Sequence, residues 1–199
     1  MHEKTPDIAA LVGSRICHDL ISPLGAIGNG LELLTMSGSA DGPEIALIAE
    51  SVANANTRIR FFRIAYGLAQ PGQQVAQNEI TSVLDDMTKG GRLKINWSIP
   101  GPQLRPEVKL AFLLIQCLES ALPYGGTIRI EKVDQKWMLH GKSEKMKIAP
   151  AVWELLLTPK KGWNISPAEV QFLLVPDTAR RLGRRIQTEL RPDEITLMF

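Results

Sequence analysis

The residues best equipped for chemistry lie together in Ile16-Cys17-His18-Asp19-Leu20-Ile21-Ser22-Pro23-Leu24. His18 sits inside a long apolar-patterned stretch. At about 100° per residue, a helix turns it roughly 200° from Ile16 and 160° from Leu20, away from the apolar stripe. Ser14, Ser22, Gly25, Asn29 and Glu32 share its side and form a small, polar band. Gly25 and Gly28 each cost such a helix about 1 kcal/mol relative to alanine. That cost is explained if another protein must come close to an accessible imidazole, whose neutral nitrogen is a competent nucleophile near physiological pH. Taken by itself, the same pattern also fits an ordinary surface histidine. A Ser-His-Asp hydrolase built from Ser14 or Ser22 would require a strand-to-helix nucleophile elbow, and none accompanies them.

The element that must carry His18 is a helix from about Thr5 to Thr35. Thr5-Pro6-Asp7 supplies an N-cap, a proline in the first turn and an acid. Ile8, Val12, Ile16, Leu20, Leu24, Ile27, Leu31 and Leu34 recur every three or four residues. Ser37 to Gly42 is turn chemistry, and Pro43-Glu44 opens a second helix predicted to end near Gln70. In an antiparallel hairpin with this turn, facing residue numbers total about 82, which sets His18 level with Ile64 and brings Arg60, Arg63 and Gly67 nearby. Both helices carry more apolar surface than one partner covers. A second hairpin, most simply from another copy of the chain, would complete a four-helix bundle.

Gln70-Pro71-Gly72-Gln73-Gln74 reads as a linker, dividing the 199 residues into a hairpin domain, 1–72, and a mixed domain, 73–199. In the second, helices are predicted at Asn78–Thr88, Pro106–Leu122 and Ile148–Leu157. Strands are predicted at Arg92–Ile99, Thr127–Val133 and Lys136–Lys142. Ser166-Pro167-Ala168-Glu169 is a capping box opening a further helix that Pro176 should reset or kink. Arg185–Leu190 and Ile195–Phe199 should pair through the Arg191-Pro192-Asp193 turn. The order implies an α/β sandwich with helices on one sheet face.

Composition places the chain among folded globular proteins, with 44% hydrophobic and 22% charged residues. No apolar run approaches a membrane span and Met1 to Pro6 lacks a secretory pattern, so a cytoplasmic location without membrane contact is expected. Cys17 and Cys117 are too few for a disulfide framework and read as reduced core thiols. His2 and His140 lack ligand-spaced companions, so no metal site is expected. Met1 to Gln70 carries five basic against seven acidic residues, and Arg180, Arg181, Arg184 and Arg185 read as a solvated helix end rather than a nucleic-acid surface. Trp97, Trp137, Trp153 and Trp163 read as packing residues.

His18-Asp19-Leu20-Ile21-Ser22-Pro23-Leu24 resembles the H-box of two-component histidine kinases, H-[DE]-L-x-x-P-L. Ile16 to Leu33, with Gly25-Ala26-Ile27-Gly28-Asn29-Gly30, is similar more narrowly to the ChpT-type bacterial histidine phosphotransferases. The resemblance implies that His18 is the phosphoacceptor, that Asp19 orients it or tunes its basicity, that Pro23 bends the helix, and that Ser22 occupies the Thr/Asn position associated with phosphatase water positioning. It also implies a homodimer, a hybrid-kinase receiver as donor and a response-regulator receiver as acceptor. Docking should use Ile21, Ser22, Gly25, Asn29 and Glu32, with Arg60 or Arg63 receiving phosphoryl oxygens or pairing with acidic receiver loops.

A kinase would also need an ATP site. Leu113 to Ala121 is similar in pattern to the kinase N-box helix, but Gln116 and Ser120 stand where its asparagines would be. Met138-Leu139-His140-Gly141-Lys142 supplies one glycine and no aspartate for an adenine box. The second domain therefore resembles a degenerate histidine-kinase ATPase (Bergerat) domain without a nucleotide site. No intrinsic cofactor is expected, and Mg²⁺ would come with the partner receiver. Two rival readings stay open: an ATP-dependent histidine kinase with an atypical nucleotide site, and a non-catalytic dimeric adaptor.

Overall fold

The computed structural model describes residues 8–36, 42–158 and 165–199. The expected cap at Thr5, most of the turn after Ser37, His2 and Trp163 lie outside them. The chain forms two compact units, Met1–Ala69 and Gln70–Phe199.

The first unit is a hairpin of α1 (Ile8–Met36) and α2 (Pro43–Ala65). α1 continues through Pro23. Proline stands in the first turn of α2, where its missing N–H is harmless. The second helix stops at Ala65 rather than near Gln70: Tyr66 caps it, with its N–H donating to the Phe62 carbonyl, and Gly67 follows directly. Gly13 lies against Tyr66 and Gly28 against Val52. This pairing is about two residues off the expected register, so His18 is level with Phe61 and Phe62 rather than with Ile64.

The apolar stripe expected to act as one face is split. Gly13, Cys17, Leu24, Gly28 and Leu31 follow the α2 side, where Cys17 is buried and Leu24 and Leu31 are half-buried. Ile16, Leu20, Ile27 and Leu34 remain 44–52% exposed. Leu47 and Ile48 of α2 are exposed as well.

The second unit is a sheet with helices against one face. Its elements are β1 (Gln74–Val75), α3 (Gln77–Thr88), β2 (Leu93–Trp97), β3 (Gln103–Leu104), α4 (Arg105–Ala121), β4 (Gly126–Val133), β5 (Lys136–Lys142), α5 (Pro150–Trp153), α6 (Gln171–Arg181), β6 (Gln187–Leu190) and β7 (Glu194–Met198). The large sheet has the order β2-β4-β5-β7-β6, parallel between β2 and β4 and antiparallel elsewhere. Alternation sorts its faces: Ile95, Ile128, Ile130, Trp137, Leu139, Ile195 and Leu197 are buried, whereas Lys94, Asn96, Thr127, Arg129 and Lys142 point to solvent. α4 is nearly encased, with Val108, Leu110 to Ile115, Cys117 and Leu118 fully buried. Burying each such side chain contributes roughly 1.5 to 3 kcal/mol.

Three glycines fix this packing. A Cβ at Gly141 would stand 2.9 Å from Leu118 Cδ2, so the bare position lets α4 settle onto β5. Gly125 and Gly126 have φ of +99° and +147°. Side chains there would strike the carbonyls of Arg92 and Lys142, so the turn into β4 requires the pair.

The other departures are local. β1 and β3 form a small antiparallel ribbon that was not expected. The helix expected over Ile148–Leu157 is one turn, Pro150–Trp153, continued as 3₁₀ helix through Leu156. The Ser166–Glu169 capping box is present but opens a 3₁₀ turn. α6 then runs through Pro176 without a reset.

Candidate functional site

α1 carries its chemistry on one flank. His18 is exposed. Ser22, Gly25, Asn29 and Glu32 fall within about 40° of it around the helix, and the exposed stripe of Ile16, Leu20, Ile27 and Leu34 is opposite, at about 160° to 180°. Ser22, Asn29 and Glu32 are exposed, and Gly25 is half-buried with nothing within 4 Å of where a Cβ would stand. Ile21 is half-buried at the boundary with the α2 contact. Gly28 belongs to that contact rather than to the polar band, since its Cβ would meet Val52 Cγ1 at 3.7 Å. The backbone of Asp19 is helical, and its side chain lies outside the described ones.

α2 presents the matching flank. With Ile59 turned toward α1, Arg63 stands about 40° and Arg60 about 100° around the helix, in the sense that an antiparallel partner places on the His18 side. Their numbers bracket the level of His18. Burial raises the Cys17 thiol, and the Arg63 charge beside it opposes that rise, which ties Arg63 to the turn of α1 that bears His18. Arg60 is half-buried and Arg63 exposed. Asn56, Ala53 and Ala49 continue the same flank, although the sequence reading did not single them out. The available signal was their helical spacing from Arg60 and Arg63.

The second unit's remaining candidates are structural. Ser120 turns its hydroxyl to its own helix, donating to the Cys117 carbonyl at 2.6 Å, and Gln116 is half-buried. Arg180 and Arg181 pair with Asp177, and Arg184 reaches Glu107 at 2.8 Å. Trp97, Trp137 and Trp153 pack against Phe112, Phe199 and Phe172 respectively. Cross-strand pairing brings Glu131 to 3.4 Å from His140 Nε2 and Glu194 to 3.9 Å from Nδ1, companions that local spacing did not show. Among the described residues no group of three His, Cys, Asp or Glu side chains is placed to hold a metal ion. No described helix is long and apolar enough to cross a membrane. Cys17 and Cys117 are free and buried.

The hairpin that carries an exposed histidine is followed by a mixed domain, and both parts have counterparts in known proteins. Residues 77–194 match the family model described as the histidine phosphotransferase C-terminal domain. The protein phosphotransferase ChpT of Brucella abortus (strain 2308) is 37% identical over 196 residues, which cover 95% of this chain and 93% of that protein. The chain belongs to the ChpT-type histidine phosphotransferases. A solved bacterial phosphotransferase aligns with this family member over 98% of both chains, at 28% identity and a TM-score of 0.69. Full-length ShkA in complex with AMPPNP shares the fold at 11% identity and a TM-score of 0.50, over 96% of this chain and 45% of the other. As a member of this family, the protein is a histidine phosphotransferase acting in phosphorelay phosphotransfer.

Proposed function

We propose that His18 is the relay residue, taking a phosphoryl group from an aspartyl phosphate on one receiver domain and giving it to an aspartate on another. The observation that carries this reading is the exposure of His18 on a flank of α1 distinct from both the α2 contact and the apolar stripe. The unprotonated ring nitrogen attacks phosphorus, the phosphorus–oxygen bond of the acyl phosphate breaks, and the receiver carboxylate departs. Asp19 orients the ring or takes the proton from its other nitrogen. The second half runs the same exchange in reverse on the acceptor carboxylate. The transition state is loose, so in-line placement and charge neutralisation dominate. The receiver brings its own Mg²⁺, no intrinsic cofactor or ATP is needed, and Arg60 or Arg63 meets the phosphoryl oxygens or the acidic receiver loops. Ser22 borders the reacting centre, where it stands in the position associated with hydrolytic water.

The protein works as a homodimer whose paired hairpins form a four-helix bundle. Support comes from Ile16, Leu20, Ile27 and Leu34, a row of half-exposed aliphatic side chains on the side of α1 away from His18. The hybrid-kinase receiver is the donor and a response-regulator receiver the acceptor. The second unit serves as a degenerate, Bergerat-like module that adds acceptor contacts. Gln116 and Ser120 in place of asparagines support its loss of nucleotide chemistry.

The deciding experiment mixes the protein with a phosphorylated receiver. Label should move to the protein, be acid-labile, and disappear in His18→Gln. Label acquired from ATP alone would overturn the reading in favour of a kinase.

A further inference from the structure

Beyond His18 and the adjoining Ser22, five polar or charged side chains stand on the His18 flank of the hairpin: Arg60, Arg63 and Asn56 on α2, and Asn29 and Glu32 on α1. They are not evenly spread. The two guanidinium groups bracket the level of His18. Glu32 lies fourteen residues further along α1, a rise of about 21 Å. Between them the flank is shallow, since Gly25 and Ala53 present almost no side chain and no atom comes within 4 Å of a Cβ built at Gly25. The side chains of Asn29, Glu32 and Asn56 make no hydrogen bond or ion pair with any described residue, although each has a polar end to satisfy. Glu32 also adds nothing to α1 itself: an acid toward the C-terminal end of a helix opposes the helix dipole.

We infer that Glu32 is a specificity-determining residue that fixes the docking direction of the receiver. This rests on the relay reading given above. The phosphoryl-bearing pocket of a receiver holds its phosphoacceptor aspartate among metal-binding carboxylates and is therefore negative, so it complements Arg60 and Arg63. A receiver aligned this way extends along the shallow flank toward Glu32, and the side chain that meets this carboxylate is a cation. Arg60 and Arg63 thus mark one end of the flank with basic side chains and Glu32 marks the other with an acidic one. A receiver approaching in the opposite direction sets its acidic pocket against Glu32 and loses both contacts. Like charges brought together suppress the wrong orientation as effectively as opposite charges favour the right one.

The test is binding of an unphosphorylated receiver domain that exchanges phosphoryl groups with His18, measured by titration calorimetry at low and high salt. Glu32→Lys should weaken binding about tenfold at low salt, with much of the difference vanishing at high salt. Glu32→Gln should fall between it and the native protein. Glu50→Lys makes the same charge change at an exposed position of α2 turned away from this flank, and should leave binding unchanged. Equal effects of Glu32→Lys and Glu50→Lys would show only a net-charge effect and overturn the inference, as would unaltered affinity in Glu32→Lys. A chain that takes no label from any phosphorylated receiver fails the relay reading instead, a result separate from either of these.

Discussion

Arg63 of α2 sets its positive charge beside the Cys17 thiol of α1, one residue ahead of His18. The thiol is buried and its acidity is reduced by desolvation first, with the guanidinium acting against that. On the proposed relay, this sets a guanidinium at the level of α1 where the phosphoryl group would arrive. A hydrogen bond to a charged group is worth about 1.5 to 3 kcal/mol, so Arg63→Ala should slow transfer from a phosphorylated receiver roughly ten- to a hundredfold. Rapid-quench kinetics measure this directly. An undiminished rate would move the phosphoryl contact to Arg60.

Gly25→Phe separates folding from docking. Beyond the helix's own backbone, nothing lies within 4 Å of a Cβ placed there, and replacing a helical glycine raises helix propensity by several tenths of a kcal/mol. The variant should melt at or slightly above the native temperature while transferring phosphoryl groups at least tenfold more slowly. Circular dichroism and the transfer assay together read both effects. Normal transfer would place the receiver elsewhere.

Leu20→Glu combined with Ile27→Glu puts two charges into the exposed apolar row. The proposed bundle should dissociate to a monomer, as sedimentation velocity would record. If the sedimentation coefficient stays that of the native protein, this row is not where the copies meet.

The second unit should lose stability in acid through Glu107. Burial pushes its carboxyl up, but hydrogen bonds from Trp137 and Arg184 and the charges of Lys132 and Arg184 together hold it below its ordinary value of 4.5. A folded-state value below the unfolded one means a contribution that is complete above that ordinary value and disappears as pH falls through the lowered one. Glu107→Gln leaves Arg184 and Lys132 without their carboxylate, and the loss of charged hydrogen bonding should cost about 1.5 to 3 kcal/mol at neutral pH. The difference from the native protein should shrink as the pH drops below 4. Urea melts of the two proteins across that range measure it.

The parts of the fold legible in the sequence were those with long periodic patterns. α1, α3, α4 and the β4–β5 pair follow from spacing, and His18 stands out because helical spacing turns it away from the aliphatic stripe and His18 to Leu24 resemble the H-box. The split of the α1 stripe was less accessible. Cys17 and Ile16 look equally apolar in the sequence, and only pairing with α2 buries one while leaving the other open. The register was missed by about two residues because it depended on turn geometry, whereas Gly13 against Tyr66 and Gly28 against Val52 set it by close packing. The β1–β3 ribbon has two residues per strand, too few for any alternation to register. Glu107 was also invisible: its partners Lys132, Trp137 and Arg184 are distant in sequence and meet only when α4 lies on the sheet.

Because one uninterrupted helix carries the α2 contact, the polar flank and the aliphatic row on three sides, α1 is locked in phase. Inserting a single amino acid between His18 and Leu31 would swing everything beyond it by about 100°, turning the aliphatic row toward α2 and the α2-facing residues onto the polar flank. A length change survives only if it restores the starting angle, and seven residues are the shortest that come close, with a drift of about 20°. Change along this segment is thus confined to substitution or to whole heptads, however freely its surface chemistry varies.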